Sequence, residues 1–524
     1  MVDRLRTLFR DPFFLLILAA GLLAFVVQSG ELGTSDTGHR LQGAHALWTS
    51  EPPVFPQEYP DFGVRGRGGK IQSWYGIGQS LLMLPADVVG TWVASWPAFR
   101  WYGDDPTVRD ILVSFSTNIL IAVLTALVCF RLLLQFRFAV RHAVAGTLAL
   151  LVATTHLHYT QNLMENNYIF LLALTGFSYQ YEWLRTGSRR ALLVGSAAFG
   201  LNLLTRITTG LDLLAGALFL LLVEWFDGVR GRVLWERCRA FAAVALPVTL
   251  FFGLLDRLYQ FYRFGSWFTT YLGLAAQEAK LRDPSLPANF PFEKPFHEGF
   301  LGALFAPEKS IFLFDPLLLL TILLAVWGWR RFRPAVRAYT VACSVLLLAY
   351  LSFYAKYTVW SGDSAWGDRY VSTAVELAVL LAVPLLLQYR REMGRVIWTA
   401  GVALVAVSTV VQVASLAFWL PLELYQMQTR TPPTFVVWLR LENIVAFAFG
   451  KMDAWGLATS VASTGDAWDY VHITTWNFLP FLLRRVGVAP EWVVRLAFAV
   501  WCAGLAALAA TLWRLRQVLG RTAS

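Results

Sequence analysis

The sequence predicts an all-α polytopic membrane protein, and three observations lead to this class. Of the 524 residues, 57% are hydrophobic and only 15% are charged, whereas a soluble protein carries roughly a quarter charged residues. Apolar runs long enough to cross a bilayer as helices recur from one end of the chain to the other. Arginines gather between alternate runs, as they do in the cytoplasmic loops of membrane proteins.

About twelve transmembrane helices are predicted. With the N-terminus inside, every short inner loop is basic, so both termini are predicted to be cytoplasmic. The predicted spans are approximately residues 13–28, 111–133, 143–157, 166–183, 190–205, 209–225, 240–257, 311–328, 338–355, 371–388, 396–419 and 491–513. The same sidedness accounts for the net charge of +10, so we expect no nucleic-acid partner.

The apolar segment 74–96 is left out of this count. A crossing there would move every later basic loop to the outer side. The segment also contains Gly76, Gly78 and Pro85, which favour broken helices lying on the membrane surface. Residues 30–110 are therefore predicted to form one long first outer loop with amphipathic juxtamembrane helices.

This sidedness divides the chain into three parts. Residues 1–419 form the predicted transmembrane catalytic region, and residues 420–490 form an outer loop or cap whose role is unknown. Residues 491–524 supply the last transmembrane helix and a cytoplasmic tail. Pro432 and Pro433 act as helix breakers in the cap.

A carboxylate follows the first span directly. Ser35 or Asp36 would make a suitable N-cap, so a short helix is predicted from Gly38 onward. One apolar face of that helix is predicted to lie on the membrane surface, with Leu41, Ala44, His45 and Trp48. Asp36 would then lie at the water–lipid boundary, where it can accept a proton from a hydroxyl or hold it in place. The alternative is that Asp36 only caps the helix.

Charged residues near span ends on the predicted outer side are further candidates, because a charge at membrane depth is costly unless it has a function or a partner. The candidate acids and bases on this side are Asp36, His39, Arg40, Glu165, Arg206, Lys309, Asp363, Asp368 and Arg369. Together they combine cations that can hold a phosphate with carboxylates that can handle a hydroxyl.

Each of these residues also has a structural alternative. Glu165 can pair with a neighbouring cation, Arg206 can extend from a span end to the interface, and Lys309 can be an interfacial anchor. Asp363 and Asp368 lie in a glycine-rich loop, where turn chemistry explains aspartate well. His156 and His158 form a His-x-His pair without a matching carboxylate cluster, so interfacial histidines are an alternative to metal ligands and any metal requirement stays open.

Several segments, in this order and on this side, resemble the GT-C superfamily of polytopic glycosyltransferases. The resemblance is greatest to bacterial members grouped with the dolichyl-phosphate-mannose protein mannosyltransferases (family 39). The segments that carry it are Asp36 after the first span and residues 73–85, 200–206, 264–266, 306–316 and 366–370. Three departures stand out: Thr37 replaces the second acid of an Asp-Glu pair, Lys309 stands where arginine is expected, and residues 420–490 match nothing in the family.

The resemblance implies an enzyme that moves a sugar from a polyprenyl-phosphate donor to an acceptor hydroxyl, with inversion. It implies Asp36 as base or acceptor-positioning group and Glu165 as its partner. Arg206, Lys309 and Arg369 would stabilise the departing phosphate. The acceptor stays open between a protein, a lipid and a polysaccharide. A composition rich in Ala, Leu, Val and Arg is compatible with a bacterial inner membrane, so the active site would face the periplasm.

Two other classes compete with this one. A secondary transporter or lipid flippase can also have about twelve spans and charges at membrane depth, but transporters often consist of two related halves, which this sequence lacks. A non-catalytic scaffold explains neither the long first loop nor the charges that share one side.

Overall fold

The structure is a computed structural model that describes residues 10–99, 107–363, 365–419, 422–423, 435–451, 475–487 and 489–521. Within this part of the chain the fold is all-α apart from one short hairpin, which confirms the predicted class. The hairpin joins β1 (Gly63–Arg65) to β2 (Ile71–Ser73), antiparallel, with Val64 opposite Gln72.

Helices follow one another along the whole described chain. The first third of the chain holds α1 (Pro12–Val27), α2 (Ser35–His45), α3 (Ile77–Ala94), α4 (Val108–Gln135), α5 (Val140–Val152), α6 (His156–Gln161) and α7 (Glu165–Thr186). The middle holds α8 (Arg189–Thr205), α9 (Gly210–Phe226), α10 (Gly231–Phe264), α11 (Tyr271–Arg282), α12 (Phe296–Phe305), α13 (Ile311–Phe314) and α14 (Leu317–Gly328). The last third holds α15 (Pro334–Tyr354), α16 (Ser372–Val379), α17 (Ala382–Gln388), α18 (Arg395–Ser415), α19 (Val436–Ala448), α20 (Leu479–Val486) and α21 (Glu491–Arg521).

Seven helices in the described residues are long and apolar enough to cross a membrane. They are Ile77–Ala94, Val108–Gln135, Ile207–Phe226, Gly231–Phe264, Pro334–Tyr354, Arg395–Ser415 and Glu491–Arg521. Three shorter apolar helices are Pro12–Val27, Val140–Val152 and Ser372–Gln388. The remaining predicted spans, 166–183, 190–205 and 311–328, are also largely helical. All twelve predicted spans are thus largely helical, and the fold is that of a polytopic membrane protein. Among the seven long apolar helices, Ile77–Ala94 corresponds to the segment 74–96 that the predicted count leaves out.

The prediction of broken helices over residues 74–96 is wrong, because α3 is one continuous helix with Pro85 inside it. The glycines allow close packing instead of breaking the helix. A Cβ on Gly78 would lie 2.1 Å from Thr205 Oγ1, so this glycine lets the start of α3 reach the end of α8. Asp87 is fully buried in α3, where it is paired.

Helix α7 runs through the interior of the bundle. Its side chains are mostly buried from Glu165 to Tyr181, and it packs against α4, α8, α9 and α16. Such a helix is surrounded by protein on most sides, so the first residue of α7 is held at a fixed point near one end of the bundle. That residue is Glu165.

The predicted cap at 420–490 is described only in part, at 422–423, 435–451, 475–487 and 489–490. Pro432 and Pro433 lie outside the described residues. The described parts join the bundle: Asn477 N–H donates to Ala417 O at 2.9 Å, and Leu479 N–H donates to Gln28 O at 3.0 Å. The division of the chain at residues 419 and 490 stays a prediction.

Candidate functional site

Helix α2 begins where the chain leaves α1, but its N-cap is neither Ser35 nor Asp36. Thr34 caps the helix, and its Oγ1 accepts a hydrogen bond from Thr37 N–H at 3.4 Å. Gly33 precedes it at φ +80°, and a Cβ there would lie 2.6 Å from the Cα of Asn162, so the entry to the helix requires glycine. The cap prediction is therefore wrong by one or two residues, and Asp36 in the first turn is not used as a cap.

The apolar face of α2 lies against protein and not on a membrane surface. Leu41, Ala44 and His45 are buried, while Trp48 lies beyond the end of the helix and is exposed. His45 Nδ1 lies 3.0 Å from Asp87 Oδ2, and Trp48 Nε1 donates to the same oxygen at 2.7 Å. The expected surface-lying stripe is thus a packing face, because a buried carboxylate on α3 holds the end of α2 against the bundle.

Asp36 is held from two sides. Tyr75 O–H donates to Oδ1 at 2.7 Å, and Arg369 Nη1 donates to Oδ2 at 2.6 Å. Burial by itself raises the pKa of Asp36, but the charges of Arg369 and Arg40 and these hydrogen bonds outweigh it and lower the pKa to about 2. The carboxylate is therefore ionised in the unliganded protein at every physiological pH.

Glu165 forms ion pairs with two arginines. One of its oxygens pairs with Arg40 and the other with Arg206. Arg40 follows Asp36 by one helical turn and lies over the ring of Tyr75, 4.3 Å from its centroid. Two carboxylates, three guanidinium groups and a phenol thus form one connected cluster at this end of the bundle. The pairing alternative for Glu165 is seen directly, and its catalytic role stays a prediction.

Aromatic rings extend the cluster on the side of Arg206 and Arg369. Both guanidinium groups lie near the ring of Tyr370, at 5.3 and 5.4 Å from its centroid. The ring of Tyr370 in turn stacks on that of Tyr354, with their centroids 4.4 Å apart. Asn166 Nδ2 donates to the carbonyl oxygen of Arg369 at 2.6 Å, which ties the loop that carries Arg369 to the start of α7.

Two buried N–H groups of the cluster have no hydrogen-bond partner among the described residues. They are Arg40 Nη1 and Arg369 Nε. Burying a charged donor without an acceptor is costly, so such groups in a native fold need a reason. An anion bound beside the two side chains would supply the missing acceptors. The cluster therefore has the charge and the donors to hold a phosphate group next to a carboxylate.

Lys309 lies near this cluster but supports a loop. Its ammonium group donates to the carbonyl oxygens of Asp363, Ala365 and Gly367. Burial lowers the pKa of Lys309 to about 8, and neighbouring carboxylates oppose that shift only in part. All three of its donors are used within the protein, so this geometry does not favour the predicted role of phosphate ligand.

The aspartates of this loop shape turns. Asp363 is exposed and has a left-handed φ of +57°. Asp368 is buried, and its Oδ1 accepts a hydrogen bond from Tyr370 N–H at 3.0 Å. Both arrangements agree with the turn alternative, and neither carboxylate joins the cluster around Asp36.

The three candidate histidines occupy separate environments. The ring of His39 stacks on that of Phe62, with their centroids 3.9 Å apart. His156 Nδ1 lies 3.2 Å from Glu376 Oε2. The ring of His158 stacks on that of Trp366, with their centroids 5.7 Å apart. In the part of the chain that the structure describes, no three His, Cys, Asp or Glu side chains are grouped so that they could hold a metal ion.

A cavity of about 680 Å³ lies on the opposite face of α2. Its lining includes Ser35, Gly38 and Gln42 from this helix, together with Glu58 and Arg109. Asp36 and Arg40 point to the other side. The helix thus separates an open polar cavity from the ionic cluster.

Comparisons with known proteins add little to this geometry. No protein-family model matches the sequence, and no curated protein matches it. Among solved structures, ArnT from Cupriavidus metallidurans bound to undecaprenyl phosphate is similar over 98% of this chain and 77% of its own, at 15% identity and a TM-score of 0.44. A likeness of this size does not assign a fold family or an activity.

Several residues of the site were not identified from the sequence. Tyr75 and Asn166 contact the cluster directly, yet neither carries a charge at a span end. Arg263 is buried at the end of α10 and donates to the carbonyl oxygens of Ser73 (2.6 Å) and Tyr75 (3.0 Å), so it fixes the segment that presents Tyr75. The signal available in the sequence was an arginine at the end of a largely apolar segment, just before Gly265.

Proposed function

We propose that this protein is a membrane glycosyltransferase of GT-C type that moves a sugar from a polyprenyl-phosphate donor to an acceptor hydroxyl. One observation carries the proposal: a carboxylate, Asp36, lies within a cluster of three arginines, two of which have buried donors without protein acceptors among the described residues. A transferase of this kind needs one group to take a hydroxyl proton and several cations to hold the phosphate that departs.

The arginines would act on the leaving group. When the bond between the anomeric carbon and the phosphate oxygen breaks, the phosphate gains a negative charge. In this proposal Arg40, Arg206 and Arg369 hold the departing phosphate, and stabilisation that grows along the reaction lowers the barrier. Lys309 is better suited to holding the loop that precedes Arg369, because backbone carbonyls already accept its donors.

Asp36 would act on the acceptor. While Arg369 is paired with it, the pKa of about 2 makes the carboxylate a weak base. A bound phosphate would compete for Arg369, and weakening that ion pair leaves burial as the main effect on Asp36, which raises its pKa. Donor binding would thus make Asp36 more basic before it receives the acceptor proton. This coupling fits an order in which the donor binds first.

The proposed step is a single displacement. The acceptor oxygen attacks the anomeric carbon while the lipid phosphate leaves from the opposite side, and the acceptor proton moves to Asp36. The sugar would therefore change its anomeric configuration. Glu165 would keep Arg40 and Arg206 in place through its two ion pairs. The acceptor can be a protein, a lipid or a polysaccharide hydroxyl, and the sidedness of the charges favours the outer, periplasmic face of a bacterial inner membrane.

The test is a transfer assay on the full chain in liposomes. A panel of polyprenyl-phosphate sugars is supplied with candidate acceptors, and the release of polyprenyl phosphate and the configuration of the product are measured. We expect release with at least one donor and an inverted product. A product of retained configuration would refute the single displacement. Movement of a lipid or solute across the bilayer without any release would favour the transporter or flippase alternative.

A further inference from the structure

A second cavity, of about 690 Å³, lies where the ends of α1, α4 and α7 meet. Helix α4 begins with Val108 near the first loop and ends with Gln135 at this cavity. At 1.5 Å per residue a helix of this length spans about 40 Å, which is the thickness of a bilayer with its headgroups. The cavity is therefore at the far end of the bundle from Asp36, on the predicted cytoplasmic side.

The wall of this cavity combines apolar and cationic side chains. Phe13, Leu127, Phe130 and Leu134 supply apolar surface, and the rings of Phe13 and Phe130 lie 5.6 Å apart. Arg131, Arg137 and Arg185 line the same cavity together with Glu182 as the acidic residue. Three positive charges against one negative charge leave an excess of positive charge next to an apolar surface.

The three arginines differ in how many of their N–H groups already donate to acceptors within the protein. Arg131 pairs with Glu182 and lies 4.0 Å from the ring centroid of Tyr179. Arg185 donates hydrogen bonds to Gln135 O, at 2.8 Å, and to the side chain of Tyr181, which leaves other N–H groups of its guanidinium unused. The side chain of Arg137 is exposed, and it forms no hydrogen bond or ion pair with any residue that the structure describes. Arg137 and Arg185 thus keep donors for an external anion.

We propose that this cavity binds an anionic phospholipid of the cytoplasmic leaflet. The phosphate would be held between Arg137 and Arg185, and an acyl chain would cover the apolar wall formed by Phe130 and Leu134. Basic pockets between transmembrane helices on the cytoplasmic side are suited to such headgroups, because that leaflet is negatively charged. A free anion would leave the apolar wall uncovered, so the two features together favour a lipid.

This inference goes beyond the proposed sugar transfer, since it concerns the other end of the molecule and uses none of the residues around Asp36. A lipid there would bridge α1, α4 and α7. Binding to the folded protein alone stabilises it by mass action, so the site would make the stability of the bundle depend on the composition of the membrane.

The experiment measures lipid binding by native mass spectrometry on the purified full chain. Phosphatidylglycerol and phosphatidylcholine with the same acyl chains are compared, together with glycerol phosphate as the headgroup without chains. We expect a preference for phosphatidylglycerol that falls by roughly fivefold for each arginine removed, or about 25-fold in R137Q/R185Q. The matched control R189Q/R190Q removes two exposed arginines of the same face outside the cavity and should leave the preference unchanged.

Three results would overturn the proposal. One is an equal affinity of the unaltered protein for the two phospholipids. Another is an equal loss in the control variant, which would mean that surface charge alone attracts the lipid. The third is displacement of phosphatidylglycerol by glycerol phosphate at the same concentration, which would identify an anion site that takes no lipid. The first and third measurements need no variant, so misfolding of R137Q/R185Q would not prevent a decision.

Discussion

The proposed chemistry depends on a carboxylate whose neighbouring side chains keep its basicity low. Asp36 is ionised but paired, with Arg369 on one oxygen and Tyr75 on the other. A charge-assisted pair in a partly buried site is strong enough to hold a side chain in one geometry. Donor phosphate is the ligand that can relieve this pairing, because it competes for the same guanidinium group. Arg369 is therefore expected to act on both the leaving group and the base.

Replacing Arg369 should change the pH dependence of the reaction. In the unaltered protein the pKa of Asp36 is about 2, below its ordinary value of 3.8, so the free enzyme should keep the carboxylate ionised as the pH falls to about 4. In R369Q the opposing charge is lost and burial then raises the pKa. We expect the acidic limb of kcat/KM to move to higher pH in R369Q.

The control for this experiment is R282Q, which removes an exposed arginine from α11. The pH dependence of kcat/KM in R282Q should be the same as in the unaltered protein. The same acidic limb in R369Q and in the unaltered protein would contradict the assignment of Arg369 as the group that lowers the pKa of Asp36.

That these charged residues lie close together was predictable from the sequence, but their partners were not. Asp36, Arg40, Glu165, Arg206 and Arg369 were all identified as charges near span ends. Their ion pairs join residues up to 333 positions apart in the chain, and a single sequence contains no signal for such a pairing. The separation of Lys309 from the cluster could not be predicted either, since it depends on backbone carbonyls that only the folded loop presents.

At the scale of elements, helix α19 of the predicted cap region supports the loop that carries Arg369. Arg440 is fully buried and donates to both oxygens of Glu423, at 2.6 and 2.5 Å. It also donates to the carbonyl oxygens of Ser415 and Phe418. Its guanidinium lies 5.2 Å from the ring of Trp366, which is itself fully buried three residues before Arg369. This part of the 420–490 region thus has a structural role.

Breaking the Arg440–Glu423 pair should destabilise the protein strongly. In R440M the carboxylate of Glu423 is left buried without its cation, which costs about 3–5 kcal/mol in comparable sites. In R440M/E423Q no uncompensated charge remains, so part of the stability should return. The measurement is the thermal unfolding midpoint of each variant in the same detergent. A double variant that unfolds at the temperature of R440M would contradict the assignment of this ion pair as the cause.

Helices were predicted well where long apolar runs define them. The continuity and the surroundings of a helix were predicted poorly where its packing against other helices determines them. The twelve predicted spans are all largely helical, and six of them coincide with described helices that are long and apolar enough to cross a membrane. Broken helices were predicted wrongly for the segment 74–96 because Gly76, Gly78 and Pro85 are typical of helix breaks. In this fold Gly78 instead permits a close contact with Thr205. The prediction that the apolar face of α2 lies on the membrane surface was wrong for a similar reason. An apolar face suits a membrane surface and a protein interior equally well.

At the scale of the whole molecule, the two cavities and the ionic cluster are arranged along the bundle. The cluster and the 680 Å³ cavity lie on either side of α2, and the arginine-lined cavity lies at the other end of α4. The distribution of basic loops predicts which end faces the cytoplasm. Donor access, acceptor access and the proposed lipid site all depend on this orientation.

The orientation can be tested with single cysteines. In a background with Cys238 and Cys502 replaced by serine, S285C lies in a predicted outer loop and R189C in a predicted inner loop, and both positions are exposed. We expect a membrane-impermeant maleimide to label S285C in intact cells and R189C only after permeabilisation. The opposite pattern would invert the assigned topology and place the cluster on the cytoplasmic face.

The proposed role of Asp36 can be tested by comparing polyprenyl-phosphate release by the unaltered protein and by D36N, with a donor that the unaltered protein accepts. Asparagine keeps the shape of the side chain but cannot accept the hydroxyl proton. The matched control D61N neutralises an exposed aspartate of the same predicted outer loop. We predict a loss of at least ~100-fold in kcat for D36N, whereas D61N should keep full activity and an unchanged unfolding midpoint. Release by D36N at the rate of the unaltered protein would contradict the claim that Asp36 carries the reaction.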